Sequence, residues 1–221
     1  MEEIKPKLRG LVHYIAFLFS TLLLAICLPL WLLGKFHLGV AIYILVQIIL
    51  FGISSTYHRT NWKSERTRRL FQRLDHASIF LLISGTQTAV ALLLHPVFYQ
   101  IKQFLITTWT ISSVGIAKTI LLNHIYETVD ILMYIVHGTS VIPFLNIFIN
   151  HIKKSELILF IVGGCFYVIG AVLFRIRKPN PSPLVFGYHE IWHVFTVLAN
   201  LCFFVPISKL YIQRSFLNKE M

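Results

Sequence analysis

Three histidines, an aspartate and a serine are the residues of this chain best suited to chemistry. Ser54 and His58 are four residues apart at the end of a long apolar run, and Asp75 stands where the next apolar run begins. His189 and His193 open and close the segment His-Glu-Ile-Trp-His. Three neutral imidazoles with an open fourth position are typical of catalytic zinc, which makes hydroxide available near neutral pH. Asp75 could then hold that water or act as the general base, and Ser54 could hydrogen-bond the water or a substrate carbonyl.

The composition indicates that these residues belong to a membrane protein. The chain has 221 residues, of which 56% are hydrophobic and only 13% are charged, and its mean hydropathy is +0.72. A soluble domain has about 25% charged residues. The apolar runs lack the period-two alternation of barrel strands, so we predict an all-α, polytopic membrane protein. Basic cytoplasmic loops account for the net charge of +11, and we therefore expect no nucleic acid partner.

Seven apolar runs are long enough to cross a bilayer as helices. They cover about 11–33, 38–58, 71–94, 101–122, 127–149, 156–176 and 189–211. Because the connections between them are short, we predict a single seven-helix membrane domain over residues 1–221. The pattern specifies no oligomeric state.

The distribution of Lys and Arg predicts the orientation of this bundle. Thirteen of the 20 basic residues fall on the side that the N-terminus shares with the second, fourth and sixth loops. The positive-inside rule then places the N-terminus in the cytoplasm. In this orientation the second helix ends, and the third and seventh begin, at the cytoplasmic face. The histidines and Asp75 are therefore expected at one membrane depth, where ionisable groups are usually functional.

The remaining histidines are expected to have simpler roles. His137 lies in the middle of the fifth run, where we expect a packed, hydrogen-bonded side chain, and His76 should point to a different face from Asp75. Four others are expected at the interface or in loops: His37, His95, His124 and His151.

The segment His-Glu-Ile-Trp-His also matches the H-E-x-x-H motif of zinc proteases, in which the glutamate is the general base. A protease would in addition need a groove for an extended peptide, and we find no candidate strand for one. With His58 as the third ligand and Asp75 as an alternative base, Glu190 is expected to be solvated or to support a ligand from behind.

Three segments together resemble bacterial haemolysin III proteins. They are S-S-T-Y-H at 54–58, R-L-D-H-A-S-I-F-L-L-I-S-G-T at 73–86 and R-K-P-N-P-S-P-L-V-F-G-Y-H-E-I-W-H-V-F at 177–195. These proteins belong with the progestin and adipoQ receptors and, more distantly, with alkaline ceramidases. The resemblance implies a bacterial plasma-membrane protein with seven helices and a cytoplasmic N-terminus.

The resemblance also implies a site. Zinc would be bound by the residues matching His58, His189 and His193, with Asp75 and Ser54 close to its water. The segment G-T-Q-T-A-V at 85–90 departs from the usual G-T-Y-T-P-F of the family, so the lining of the cavity differs.

Three functions follow as hypotheses. The first is a zinc-dependent hydrolase acting on an amide or ester of a membrane lipid that enters between the helices. The second is a non-enzymatic membrane sensor or regulator, in which zinc holds the second, third and seventh helices together. The third is a haemolysin that damages host membranes. We expect the third least, since an integral membrane bundle has no evident route to another cell.

Overall fold

The computed structural model describes residues 5–33, 36–94, 99–122 and 127–217, so His95 and His124 lie outside the described residues. The described residues form eight α-helices and one 3-10 turn. The elements are α1 (Leu11–Leu32), α2 (Leu38–Arg59), α3 (Glu65–Leu93), α4 (Tyr99–Leu121), α5 (Glu127–Thr139), the 3-10 turn (Ile142–Phe144), α6 (Leu145–His151), α7 (Lys154–Ile176) and α8 (Tyr188–Leu217). Seven segments are long and apolar enough to cross a membrane, with residues 128–151 counting as one. The prediction of an all-α protein with seven spans is confirmed.

The fifth span differs from the continuous helix predicted over 127–149. It is broken after Thr139, and the chain continues through the 3-10 turn into the short helix α6. Pro143 occupies the start of that turn. A proline removes one backbone donor and its ring collides with the preceding turn of an α-helix, which favours a break of the helix at this point. Hydropathy does not register the break because the run stays apolar.

The third helix begins six residues earlier than predicted. Ser64 caps it by accepting a hydrogen bond from the Thr67 N–H at 3.4 Å, and Glu65 in the first turn accepts hydrogen bonds from Arg68 at 2.7 Å. A capping serine followed by an acidic first turn favours a helix start. Most of the basic segment between α2 and the apolar part of α3 is therefore helical.

The larger apolar core lies where α2 begins and α3 ends. Tyr43 on α2, Phe104 on α4 and Phe148 on α6 belong to it, together with the last turns of α3. Site residues Ser54 and His58 come 11 to 15 positions after Tyr43 on the same helix, which is about 16–22 Å along the axis. The opposite end of the bundle is thus left for polar side chains.

A buried polar cluster joins α3, α4 and α5 in the middle of the bundle. The Nε2 atom of His137 lies 3.1 Å from the Ser84 hydroxyl and 3.0 Å from the Thr108 hydroxyl. The Gln87 amide donates to the His137 carbonyl at 3.3 Å. Polar side chains in a membrane interior bond across helices in this way. The expectation that His137 is packed and hydrogen-bonded is confirmed.

Two adjacent glycines on α7 give a test of the packing. A Cβ on Gly163 would lie 2.5 Å from the Phe203 ring on α8, whereas a Cβ on Gly164 would meet nothing within 4 Å. We expect Gly163→Ala to destabilise the protein by about 1–3 kcal/mol through overpacking. Gly164→Ala should be neutral or stabilise it by roughly 0.5–1 kcal/mol. Thermal unfolding of both variants in the same detergent checks this, and equal midpoints would contradict the close contact of α7 and α8.

Candidate metal centre

The fold brings three of the sequence-selected histidines into one cluster. The candidate ligand atoms of His58, His189 and His193 all lie within 4.8 Å of one another. The Nε2 atoms of His58 and His189 are 3.2 Å apart. Nitrogens bound to one tetrahedral zinc at about 2.0–2.1 Å are separated by about 3.3 Å, so the three-imidazole donor set and the spacing of this pair fit the metal. Two imidazole nitrogens at this distance also need a proton or cation between their lone pairs.

Two helix ends position these side chains. His58 lies in the last turn of α2, on the same buried face as Ser54 one turn earlier. His189 and His193 lie in the first two turns of α8 at i and i+4, so both project from one helix face. Their ring centroids are 4.8 Å apart, and the His58 ring lies 4.6 Å from His189 and 5.0 Å from His193. The end of α2 and the start of α8 therefore meet, as the alternation of the spans led us to expect.

Asp75 lies beside this cluster, on α3. Its Oδ2 atom is 3.6 Å from the Nε2 atom of His58, the same nitrogen that faces His189. The carboxylate also interacts with the Ser54 hydroxyl, and Ser54 is almost completely buried. The acid thus lies next to the His58 nitrogen that faces His189.

A fourth histidine, overlooked in the sequence, also belongs to this region. His13 in the first turn of α1 is 3% exposed, and its Nδ1 atom lies 2.9 Å from the Ser54 hydroxyl. Its ring stacks on His193 with centroids 3.7 Å apart and planes at 14°. The available signal was its position three residues inside the first apolar run, at the end where the other polar groups were expected. The residues on either side of His13 carry no charge, so the sequence alone does not mark it as part of the site.

Glu190 faces away from the cluster and is fully buried. One carboxylate oxygen accepts a hydrogen bond from Arg9 at 2.5 Å, and the other accepts the Gly187 N–H at 2.8 Å. The Arg9 guanidinium also lies 3.5 Å from the Nδ1 atom of His189. Of the two environments expected for Glu190, the solvated one is wrong. Both oxygens are engaged in holding the start of α8, which argues against Glu190 as the base of a protease.

The turn before α1 covers the cluster. Gly10 has φ 76°, and a Cβ at this position would lie 2.8 Å from the Cβ of His58. Glycine is therefore required both by the left-handed backbone and by the close approach. The N–H groups of residues 7–8 donate to the carbonyls of residues 184–185 at 3.0 and 3.1 Å. The segment before α1 is thereby fixed onto the connection between α7 and α8.

Comparisons with known proteins find relatives that cover most of this chain. Hemolysin-3 of Bacillus cereus is 28% identical over 158 residues, which cover 71% of this chain and 67% of that protein. The Hemolysin-3 homolog of Bacillus subtilis is 26% identical over 78% of each chain. The ADIPOR-like receptor IZH1 of Eremothecium gossypii is 26% identical, covering 92% of this chain and 69% of that protein.

The family model described as "Haemolysin-III related" matches residues 1–204, nearly the whole chain. That range contains the first six membrane spans, the first part of the seventh, and every residue of the histidine cluster. The chain belongs to the haemolysin-III-related family and is a multi-pass integral membrane protein.

Proposed function

We propose that this protein is a zinc-dependent hydrolase that cleaves an amide or ester bond of a membrane lipid. The observation that carries the proposal is the cluster of three imidazoles within 4.8 Å, with a carboxylate 3.6 Å from one of them. Zinc bound by His58, His189 and His193 would polarise a carbonyl and lower the pKa of a water molecule. The cluster lies at helix ends, at the headgroup level where the carbonyls of lipids reside. With the N-terminus in the cytoplasm, this is the cytoplasmic side.

The chain's own groups provide the remaining functions of such a site. The Asp75 carboxylate accepts a proton from the attacking water. The Ser54 hydroxyl, held by His13 at 2.9 Å, orients the water, or donates to the substrate carbonyl when its single hydrogen turns away from Asp75. Arg9 and Glu190 fix the first turn of α8, and thereby the direction of His189. The segment of residues 7–10 excludes water from one side of the cluster.

A second candidate is a membrane receptor or sensor without catalysis, which the likeness to the ADIPOR-like receptor favours. Here a bound metal would act through structure, since its three ligands come from α2 and α8. Loss of one ligand separates the two candidates. A structural metal predicts that His58→Ala unfolds the bundle, whereas a catalytic metal predicts that the fold survives.

We expect one zinc ion per chain in the purified protein. His58→Ala, His189→Ala and His193→Ala should each lose most of it, because two imidazoles and a water bind the ion far more weakly than three imidazoles. His151→Ala is the matched control, since His151 contacts the Ile147 carbonyl on α6 and is not part of the cluster. Elemental analysis of the four variants is the measurement, and full zinc content in all three cluster variants would refute the assignment.

Asp75→Asn should keep the zinc but lower turnover by about 10²- to 10⁴-fold, the usual contribution of a general base. Glu65→Gln is the control, because Glu65 is an exposed carboxylate on the same helix. Both variants and the wild type are assayed on ceramides, other acyl amides and lysolipids. A zinc-loaded wild type without turnover on this panel would count against hydrolysis and in favour of the receptor.

A further inference from the structure

We propose that the groove between α1 and α2 binds an anionic phospholipid, with the phosphate at Arg59 and an acyl chain along the apolar floor. This site is separate from the metal centre, and it does not depend on the proposed hydrolysis. The groove has a volume of about 480 Å³, within the roughly 300–1,000 Å³ typical of ligand pockets.

The lining of the groove changes from apolar to polar along its length. Phe17 of α1 and Ile49 and Ile53 of α2 form its apolar part, whereas Thr56 and Arg59 form its polar end. Arg59 is the last residue of α2, so its charge lies at headgroup depth, and the apolar part extends toward the hydrocarbon. The groove is thus apolar along most of its length and basic at one end, which matches the acyl chain and the phosphate of a phospholipid.

Arg59 is held at the groove by a neighbouring ring. Its guanidinium carbon lies 5.1 Å from the centroid of Tyr14, a cation–π arrangement that limits the rotamers of the long side chain. A guanidinium that is already positioned loses less conformational freedom when a phosphate binds. The restricted position of Arg59 therefore favours binding of a headgroup at one defined place.

Among the residues that the structure describes, the basic groups at this end of the groove outnumber the carboxylates that pair with them. Burial and then the nearby charges of Arg9 and Arg59 lower the pKa of Lys5, so the three basic groups act on one another. Arg9 is already paired with Glu190. Within the ranges the structure describes, no carboxylate forms an ion pair with Lys5 or Arg59. An anionic membrane lipid supplies a phosphate that compensates this positive charge. A zwitterionic choline lipid compensates the charge poorly, because its own cation offsets its phosphate.

The groove and the metal centre use adjoining but different faces of α2. Ser54 and His58 are buried inside the bundle, whereas Ile53, Thr56 and Arg59 line the groove beside α1. A variant in the groove therefore replaces no ligand of the cluster. Zinc content serves as an independent check that each groove variant is folded.

The test is lipid binding by the full chain, measured by native mass spectrometry in detergent. Dioleoyl-phosphatidylglycerol is titrated against dioleoyl-phosphatidylcholine, which has the same acyl chains, and against glycerol phosphate, which has none. We expect phosphatidylglycerol to bind at least ten-fold tighter than either. Glycerol phosphate binding as tightly would show a free-phosphate site instead, and phosphatidylcholine binding as tightly would show a groove that ignores charge. Either result overturns the proposal.

Two variant pairs locate the binding. Arg59→Gln should weaken phosphatidylglycerol binding about five-fold, the effect of roughly one basic residue at an anionic surface. Arg66 is an exposed cation on α3 outside the groove, and Arg66→Gln should leave binding unchanged.

Thr56→Trp should fill the groove and reduce binding. Leu45 is also exposed on α2 but lies outside the groove, and Leu45→Trp should leave binding unchanged. Equal losses for Arg59→Gln and Arg66→Gln would mean diffuse charge attraction and would sink the proposal. Arg59→Gln decides alone if Thr56→Trp fails to fold.

Discussion

Ionisable side chains at the edge of the hydrocarbon must be paired, and the arrangement of this bundle depends on that constraint. An isolated buried charge costs several kcal/mol, and removing one partner of a buried pair costs about 3–5 kcal/mol. Glu190 is fully buried and meets Arg9, while His58 faces both His189 and Asp75. Each contact joins different segments of the chain. Pairing therefore draws the ends of α1, α2, α3 and α8 together, and the apolar core holds the other end.

The attachment of α1 shows how strongly polar contacts specify this structure. The buried residues of α1 are His13, Ala16 and Ser20, and most of its large apolar side chains face outward. In a bilayer, apolar side chains gain little by leaving lipid for protein, so the packing of few apolar residues specifies the position of such a helix weakly. The hydrogen bond between His13 and Ser54 and the ion pair of Arg9 with Glu190 specify it further. The first helix is thus positioned in part by the groups that surround the histidine cluster.

The difference between apolar spans and polar contacts also explains what the sequence could predict. Apolar runs predict spans because length and hydropathy are local properties. The alternation of seven spans predicted that α2 ends on the side where α3 and α8 begin, and the charge count predicted only which side of the membrane that is. The i, i+4 spacing of His189 and His193 is also local. The Arg9–Glu190 pair joins residues 181 positions apart, and no periodicity announces it. Knowing that helix ends share a depth does not reveal which side chains touch. The break at Pro143 was missed for the opposite reason, since its surroundings look like an ordinary span.

Neighbouring residues of α1 connect the two sites. His13 faces the histidine cluster, and Tyr14 holds Arg59 at the groove on the membrane side. The turn that precedes them is equally constrained. A methyl group on Gly10 would come within 2.8 Å of His58 and 3.1 Å of Arg59. Because interiors this closely packed transmit displacement, a shift of this turn must be felt at a ligand of the cluster and at the cation of the groove alike. The first helix is therefore the physical link between the cluster and the surrounding lipid.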